Sequence, residues 1–348
     1  MIYAVALGIA LLSYAVNRGL LKRLRNLGTT SYAAQVRWSS QAKPTIGGVS
    51  FLIGLIASFA SFSFFGWMDA LVSKPFICFA MAAIAAFGMG LTDDIRQTGP
   101  ASKFIVQLGC GALLWFGGMG MEVGGDALNL ALTVLWTVAL MNSINMLDNM
   151  DGVSGGAALS TLLGLYFIAD GGQAKLLALG MAATVAGFLL LNRYPSKLFM
   201  GDAGSQLLGV VLAGLSMYIV GSDQLPSTEL GGSAWRWLLL VPLFFTTLCD
   251  TALVTLNRLL HKRSPFKGGK DHSTHNLAYL GWSDARIANV FTLWSAANAF
   301  VVHRLMFTDL SKALTPAVAV FIILIGIYAT FVAISRVNIK NQRLKYAP

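Results

Sequence analysis

Over most of the chain, apolar residues run on without the regular polar interruptions that mark half-buried strands and helices of water-soluble domains. Such stretches lie near 2–20, 46–65, 75–91, 103–120, 127–147, 153–169, 174–191, 205–221, 235–256, 287–306 and 314–334. A hydrocarbon core about 30 Å thick takes about 20 helical residues. The pattern therefore predicts eleven membrane-spanning helices joined mostly by short loops. Two of them, 153–169 and 174–191, are short and parted only by the polar turn Asp170-Gly171-Gly172-Gln173. No basic residue precedes the first run, whereas Arg18, Lys22, Arg23 and Arg25 follow it, so it reads as a span and not as a leader.

Composition agrees. Charged residues make up 11% of the 348 positions, against roughly 25% in soluble proteins, and apolar residues make up 56%. So few charges would not cover the surface of a soluble protein of this size. The expected fold is all-α, a polytopic membrane bundle of about 11 helices forming one domain over 1–348, with a basic tail at 335–348. This excludes a cytosolic enzyme, a disordered protein and a secreted disulfide scaffold, and nothing points to nucleic acid. Cys78, Cys110 and Cys249 are odd in number and set in apolar runs, as buried small hydrophobes are.

The net charge of +10 matters through its placement. Counted over alternate loops, 20 of the 25 Lys and Arg fall on one side, leaving Lys74, Lys175, Arg236, Arg304 and Lys312 on the other. The positive-inside rule makes the first side cytoplasmic, with the N-terminus out and the C-terminus in. An even number of spans would scramble this sorting. Part of the positive charge serves topology and anionic membrane lipids.

Acids sort differently. Asp69, Glu122, Asp126, Asp170, Asp223, Glu229 and Asp309 are scattered singly outside, whereas Asp93, Asp94, Asp148, Asp151, Asp202, Asp250, Asp271 and Asp284 fall on the cytoplasmic side, mostly at span ends. Asp93 and Asp94 sit at the C-terminal, negative end of their helix, where they repel both each other and its dipole. In a soluble protein a solvated turn would explain them; at a membrane surface a divalent cation explains them better. Asn142, Asn145, Asp148 and Asp151 recur every third residue. Each step turns a regular helix by about 300°, so first and last oppose one another unless a break before Gly152 gathers all four.

Phe199-Met-Gly-Asp202-Ala-Gly-Ser205 leads straight into a span, a turn whose glycines and free helix N–H groups suit an anion, with Asp202 holding a metal. Taken alone, such a turn also precedes many ordinary helices. His272 and His275, beside Lys270 in Gly268-Gly-Lys-Asp-His-Ser-Thr-His-Asn276, read as phosphate donors, since zinc would need a Cys or a third His nearby. Lys43-Pro-Thr-Ile-Gly-Gly48 is a smaller basic turn of this type. Asp250, within a span, is expected to pair with Arg258. Hard oxygen donors favour Mg²⁺ or Mn²⁺. The set reads as metal-assisted phosphoryl transfer at the inner membrane face.

In that order, the Lys43 turn, Asp93-Asp94, Asn145-x-x-Asp148-x-x-Asp151-Gly, the Phe199–Ser205 motif and the His272/His275 loop resemble the polyprenyl-phosphate N-acetylhexosamine-1-phosphate transferase superfamily. The resemblance covers roughly residues 40–290. It implies ten or eleven membrane helices and Mg²⁺-dependent transfer of a sugar 1-phosphate from a UDP-N-acetylhexosamine to undecaprenyl phosphate, releasing UMP. The implied setting is the cytoplasmic face of a bacterial inner membrane, at the first membrane step of an envelope polysaccharide pathway; a homodimer is compatible with it.

The resemblance also implies roles. Asp93 and Asp94 match the acidic pair at the lipid phosphate and Asp202 matches the metal ligand, with Asp94 beside the ion. Asn145, Asp148 and Asp151 line the nucleotide pocket. Lys43 and Lys103 are basic residues near substrate. Asn192 and Phe199 precede the Gly-Asp motif, where the aromatic stacks on uracil. In the last loop, the family's His-x-His-His-Arg is altered at Thr274 and Asn276. The first motif lacks the longer form of phospho-N-acetylmuramoyl-pentapeptide transferases, favouring simple UDP-N-acetylhexosamines. Two other classes compete. A cation-coupled transporter would place its acids near the bilayer midplane, and a CDP-alcohol phosphatidyltransferase would need an Asp-Gly-x-x-Ala-Arg segment that is missing here.

Overall fold

The computed structural model describes residues 1–26, 34–35, 43–68, 73–221, 233–265, 269–308 and 310–345. Arg37, Lys267, Gly268 and the acids Asp69, Asp223, Glu229 and Asp309 lie outside them, as do 346–348 of the tail. The described chain is helical: α1 (Ile2–Asn26), α2 (Gly47–Phe64), α3 (Lys74–Arg96), α4 (Pro100–Phe116), α5 (Asp126–Leu147), α6 (Val153–Ile168), α7 (Gly172–Asn192), α8 (Gly201–Gly221), α9 (Ser233–Leu243), α10 (Phe245–Leu260), α11 (Ser273–Tyr279), α12 (Asp284–Met306) and α13 (Leu310–Lys345). A two-residue antiparallel pair joins β1 (Ala34–Gln35) to β2 (Lys43–Pro44).

Helix stands at each of the eleven apolar stretches. Among the described residues, eight helices (α1, α2, α3, α5, α7, α8, α12 and α13) are long and apolar enough to cross a membrane. The helices α4 and α6, at 17 and 16 residues, are shorter. The span expected over 235–256 is broken into α9 and α10, which meet at a 74° bend. Pro242, near the end of α9, has no N–H for the Leu238 carbonyl and crowds it. That missing bond lies next to the bend.

The centre is α8, in which only Asp202, Tyr218 and Gly221 escape burial; α13, with 11% of its apolar window buried, is peripheral. Helices in lipid associate through close van der Waals packing, which small residues permit. Here α2, α3 and α5 each meet α8 across a glycine. A Cβ on Gly48 would lie 2.4 Å from Gly204 N, one on Gly90 2.3 Å from Asp202 O, and one on Gly209 2.5 Å from Met141 Cα. Any larger residue at these points would push a helix away from α8.

Candidate active site

The first turn of α8 is where the acids meet. Gly201 takes φ +70°, a conformation costly for any other residue type, and so admits the chain into the helix. Asp94, at the end of α3, accepts the N–H groups of Asp202 and Ala203 at 2.9 and 3.0 Å. The free N–H groups expected there for an anion are therefore taken, with Asp94 as the anion. Gly204 N faces Gly48.

Asp202 itself faces outward from this turn. Lys103, in the first turn of α4, sets Nζ 2.7 Å from Asp202 Oδ2 and pairs with Asp93 Oδ2 as well. Asp93 Oδ1 accepts from Thr98 Oγ1 at 2.6 Å. Asn145 Nδ2 donates to Asp202 Oδ1 at 3.0 Å and to Ser205 Oγ at 2.9 Å. One ammonium thus serves Asp93 and Asp202, with Asp94 behind them. One turn deeper, Gln107, Asn142 and Gln206 exchange amide hydrogen bonds of 2.9–3.3 Å between α4, α5 and α8. Buried amides in lipid demand such partners, and these fix the spacing of the three helices that carry the site.

The four residues spaced by three do not converge. Helix α5 ends at Leu147, Asp148 is its C-cap, and Gly152 turns left-handed at φ +76° before α6. The break divides the set. Asn142 joins the glutamines and Asn145 joins Asp202. Asp151, 8% exposed, goes to a separate group in which Lys43 Nζ lies 3.1 Å from Oδ2, and Ser196 donates through N and Oγ at 2.9 and 2.7 Å. Asn192 ties this turn in place by accepting from Gly152 N and donating to Leu198 O.

Phe199 is buried, with the Lys43 ammonium 5.3 Å from its ring centroid. Its backbone pairs with the Lys43 segment through Phe199 N to Pro44 O. The ring thus packs beside the Lys43 ammonium.

The last loop packs onto α10. Asp250 pairs with His272 Nδ1 at 2.8 Å and Ser273 N at 2.7 Å. The expected Asp250–Arg258 pair is therefore corrected: Arg258 instead holds Asp271 with two N–H groups at 2.9 and 2.8 Å. Burial raises the Asp271 carboxyl, but Arg258 outweighs it and holds the group below its usual range. Thr274 donates to Asn149 Oδ1 at 2.6 Å, tying α11 to the turn after α5. Asn338 of α13 donates to Asn276 O and Oδ1, both at 3.1 Å. Burial, then the neighbouring His272, lowers His275 to about 3, so it is neutral at physiological pH.

Among the described residues, no group of three or more His, Cys, Asp or Glu is placed to hold a metal ion unaided. The donor chemistry at α8 nonetheless suits a hard cation that shares its shell with water and substrate, as Mg²⁺ does. Asp93 and Asp202 share one ammonium there, and Asp94 sits beside them on the N–H groups of α8. Sequence reasoning missed Thr98, Asn149, Ser196, Gln107 and Gln206. The two glutamines carried a legible signal, being polar within apolar runs; Thr98, Asn149 and Ser196 sit in polar turns and carried none.

The chain matches the model of glycosyl transferase family 4 over residues 76–220. It is 31% identical to a phospho-N-acetylmuramoyl-pentapeptide-transferase of Synechococcus over 82% of this chain and 86% of the relative. It is 25% identical to a probable undecaprenyl-phosphate N-acetylglucosaminyl 1-phosphate transferase of Bacillus subtilis over 98% of this chain and 94% of the relative. A decaprenyl-phosphate N-acetylglucosaminephosphotransferase of Mycobacterium tuberculosis is 25% identical over 85% of this chain and 80% of the relative. The transporter and phosphatidyltransferase readings fall with these matches. With its acidic residues meeting at the head of α8, the chain belongs to the polyprenyl-phosphate N-acetylhexosamine-1-phosphate transferase superfamily and is a glycosyl-1-phosphate transferase.

Proposed function

We propose that the protein transfers N-acetylhexosamine 1-phosphate from a UDP-sugar to undecaprenyl phosphate, with Mg²⁺, and releases UMP. The observation that carries this reading is the Asp93–Lys103–Asp202 arrangement at the N-terminus of α8, with Asp94 behind it. The distribution of Lys and Arg favours eleven spans with the N-terminus out, which puts this end of the bundle at the cytoplasmic face of a bacterial inner membrane. There a nucleotide arrives from the cytosol and a polyprenyl phosphate from the lipid. The reaction would open an envelope polysaccharide pathway.

A phosphate monoester has a second pKa of about 6, so the acceptor is mostly dianionic at pH 7. The main obstacle is the approach of two anions, and deprotonation is secondary. Mg²⁺, held by Asp202 and Asp94 with Mn²⁺ as a substitute, would supply charge screening when bound. Lys103 adds a fixed positive charge at the same carboxylates. Asp93, steadied by Thr98, positions the acceptor and completes its deprotonation. Asn145 orients Asp202. His272 and Lys43 are the candidates for donor contacts.

The relatives at 30–31% identity named for the phospho-N-acetylmuramoyl-pentapeptide reaction favour a second donor, a UDP-sugar carrying that larger group. One assay addresses both: detergent-purified protein with undecaprenyl phosphate and a panel of UDP-sugars, measuring UMP with and without Mg²⁺. Mg²⁺-dependent UMP from a simple UDP-N-acetylhexosamine supports the first reading. UMP from the pentapeptide donor alone supports the second, and no UMP from any donor refutes both.

A further inference from the structure

Asp250 is an acid with no role in the chemistry described so far. It lies on α10, and its side chain is wholly hidden. A carboxylate within a membrane helix is costly unless it is partnered and useful. Both of its oxygens are engaged. Oδ1 accepts from Ser273 N at 2.7 Å and from Ser273 Oγ at 2.5 Å, and Oδ2 meets His272 Nδ1 at 2.8 Å. One residue earlier, Asp271 is forked by Arg258 of the same helix. Asp271, His272 and Ser273, the run that opens α11, are thus fastened to α10, while Thr274 donates to Asn149. A histidine whose Nδ1–H is given to a carboxylate has its tautomer and ring plane fixed, and Nε2 is the nitrogen left for a ligand.

We propose that Asp250 is a positioning residue for the transferase: by holding His272 Nδ1 and Ser273 together, it aims His272 Nε2 at the phosphates of the nucleotide donor. This rests on the reading that the donor is a UDP-sugar met by His272. Asp250 touches no substrate; it acts through the ring.

The test uses the full-length protein in detergent with the substitutions Asp250→Asn, His272→Ala and both together. Asp250→Asn is expected to raise the donor KM by about tenfold to a hundredfold, with smaller changes in kcat and in the KM for the lipid phosphate. In the His272→Ala background the same substitution should add no more than about twofold, since both act through one ring. An equal effect of Asp250→Asn with and without His272, or a loss confined to kcat, overturns the proposal.

A second measurement on wild-type protein needs no variant to fold and no turnover. His272 should be carbethoxylated by diethyl pyrocarbonate, read by peptide mass spectrometry, and UDP should slow the modification. An unreactive His272, or one that UDP does not protect, overturns the placement. UMP release with no UDP protection defeats this proposal alone. UDP protection without UMP release from any donor defeats the transferase donor reading and leaves the placement standing.

Discussion

Asp94 closes the N-terminus of α8: its carboxylate accepts the N–H groups of Asp202 and Ala203 at 2.9 and 3.0 Å. A cap of this kind is worth about 0.5–2 kcal/mol, and here it also places the Asp202 side chain. Asp94→Ala should therefore lower both activity and melting temperature. Asp93→Asn, whose partners are Lys103 and Thr98, should lower activity with little change in melting. The two melting curves, taken in one detergent, decide this, and equal thermal losses would refute the division of labour.

Asp202→Asn keeps the Asn145 and Lys103 neighbours but removes the charge that would hold a divalent ion. Activity should fall at least about a hundredfold, more than residual turnover could hide. Titration of Mg²⁺ against any remaining turnover checks the cause. Wild-type turnover with unchanged Mg²⁺ dependence would count decisively against a metal role for Asp202.

Direct attack by the acceptor predicts that donor alone is stable. Protein incubated with radiolabelled UDP-sugar and no lipid should release no stoichiometric UMP. A sugar-phosphate adduct on Asp93, seen by mass spectrometry, would establish a covalent route instead.

Lys43 and Asp151 form a buried pair braced by Ser196. Breaking such a pair from one side strands a charge and costs about 3–5 kcal/mol. Lys43→Met and Asp151→Leu should each reduce thermal stability strongly, whereas the double substitution should cost less than the sum. Strict additivity would show that the pair contributes nothing as a pair.

His275 stays neutral down to about pH 3, whereas an unfolded histidine titrates near 6.5. Between those values the unfolded chain binds the extra proton, so stability falls as the pH drops, by up to ~1.4 kcal/mol per unit. Above pH 6.5 this residue contributes no pH dependence. His275→Gln should flatten the acid side of a plot of melting temperature against pH; an unchanged slope would assign it to other groups.

The apolar runs were enough to place helices, because a bilayer leaves a spanning backbone few choices beyond satisfying its own hydrogen bonds. They did not reveal the bend between α9 and α10. Pro242 was visible, but whether a proline bends a helix depends on what packs beside it. Likewise Asp93, Asp94 and Asp202 were legible as chemistry, since they are carboxylates clustered on a side otherwise crowded with Lys and Arg, whereas Lys103 was read only through the resemblance. The partners were not legible. Asp94 caps α8, Asp250 holds His272 and not Arg258, and Asp151 leaves Asn145 for Lys43.

The sequence by itself determined the membrane setting, the helical class and the stock of carboxylates, because composition and hydropathy act locally along the chain. Only the tertiary structure decided which carboxylate meets which cation. Two of those pairings, Lys103 with Asp202 and Lys43 with Asp151, join residues about a hundred positions apart, and α2, α3 and α5 reach α8 only because glycines stand at the crossings. The energy of a buried charge is set by its neighbours in space, and neighbours in space are what packing chooses.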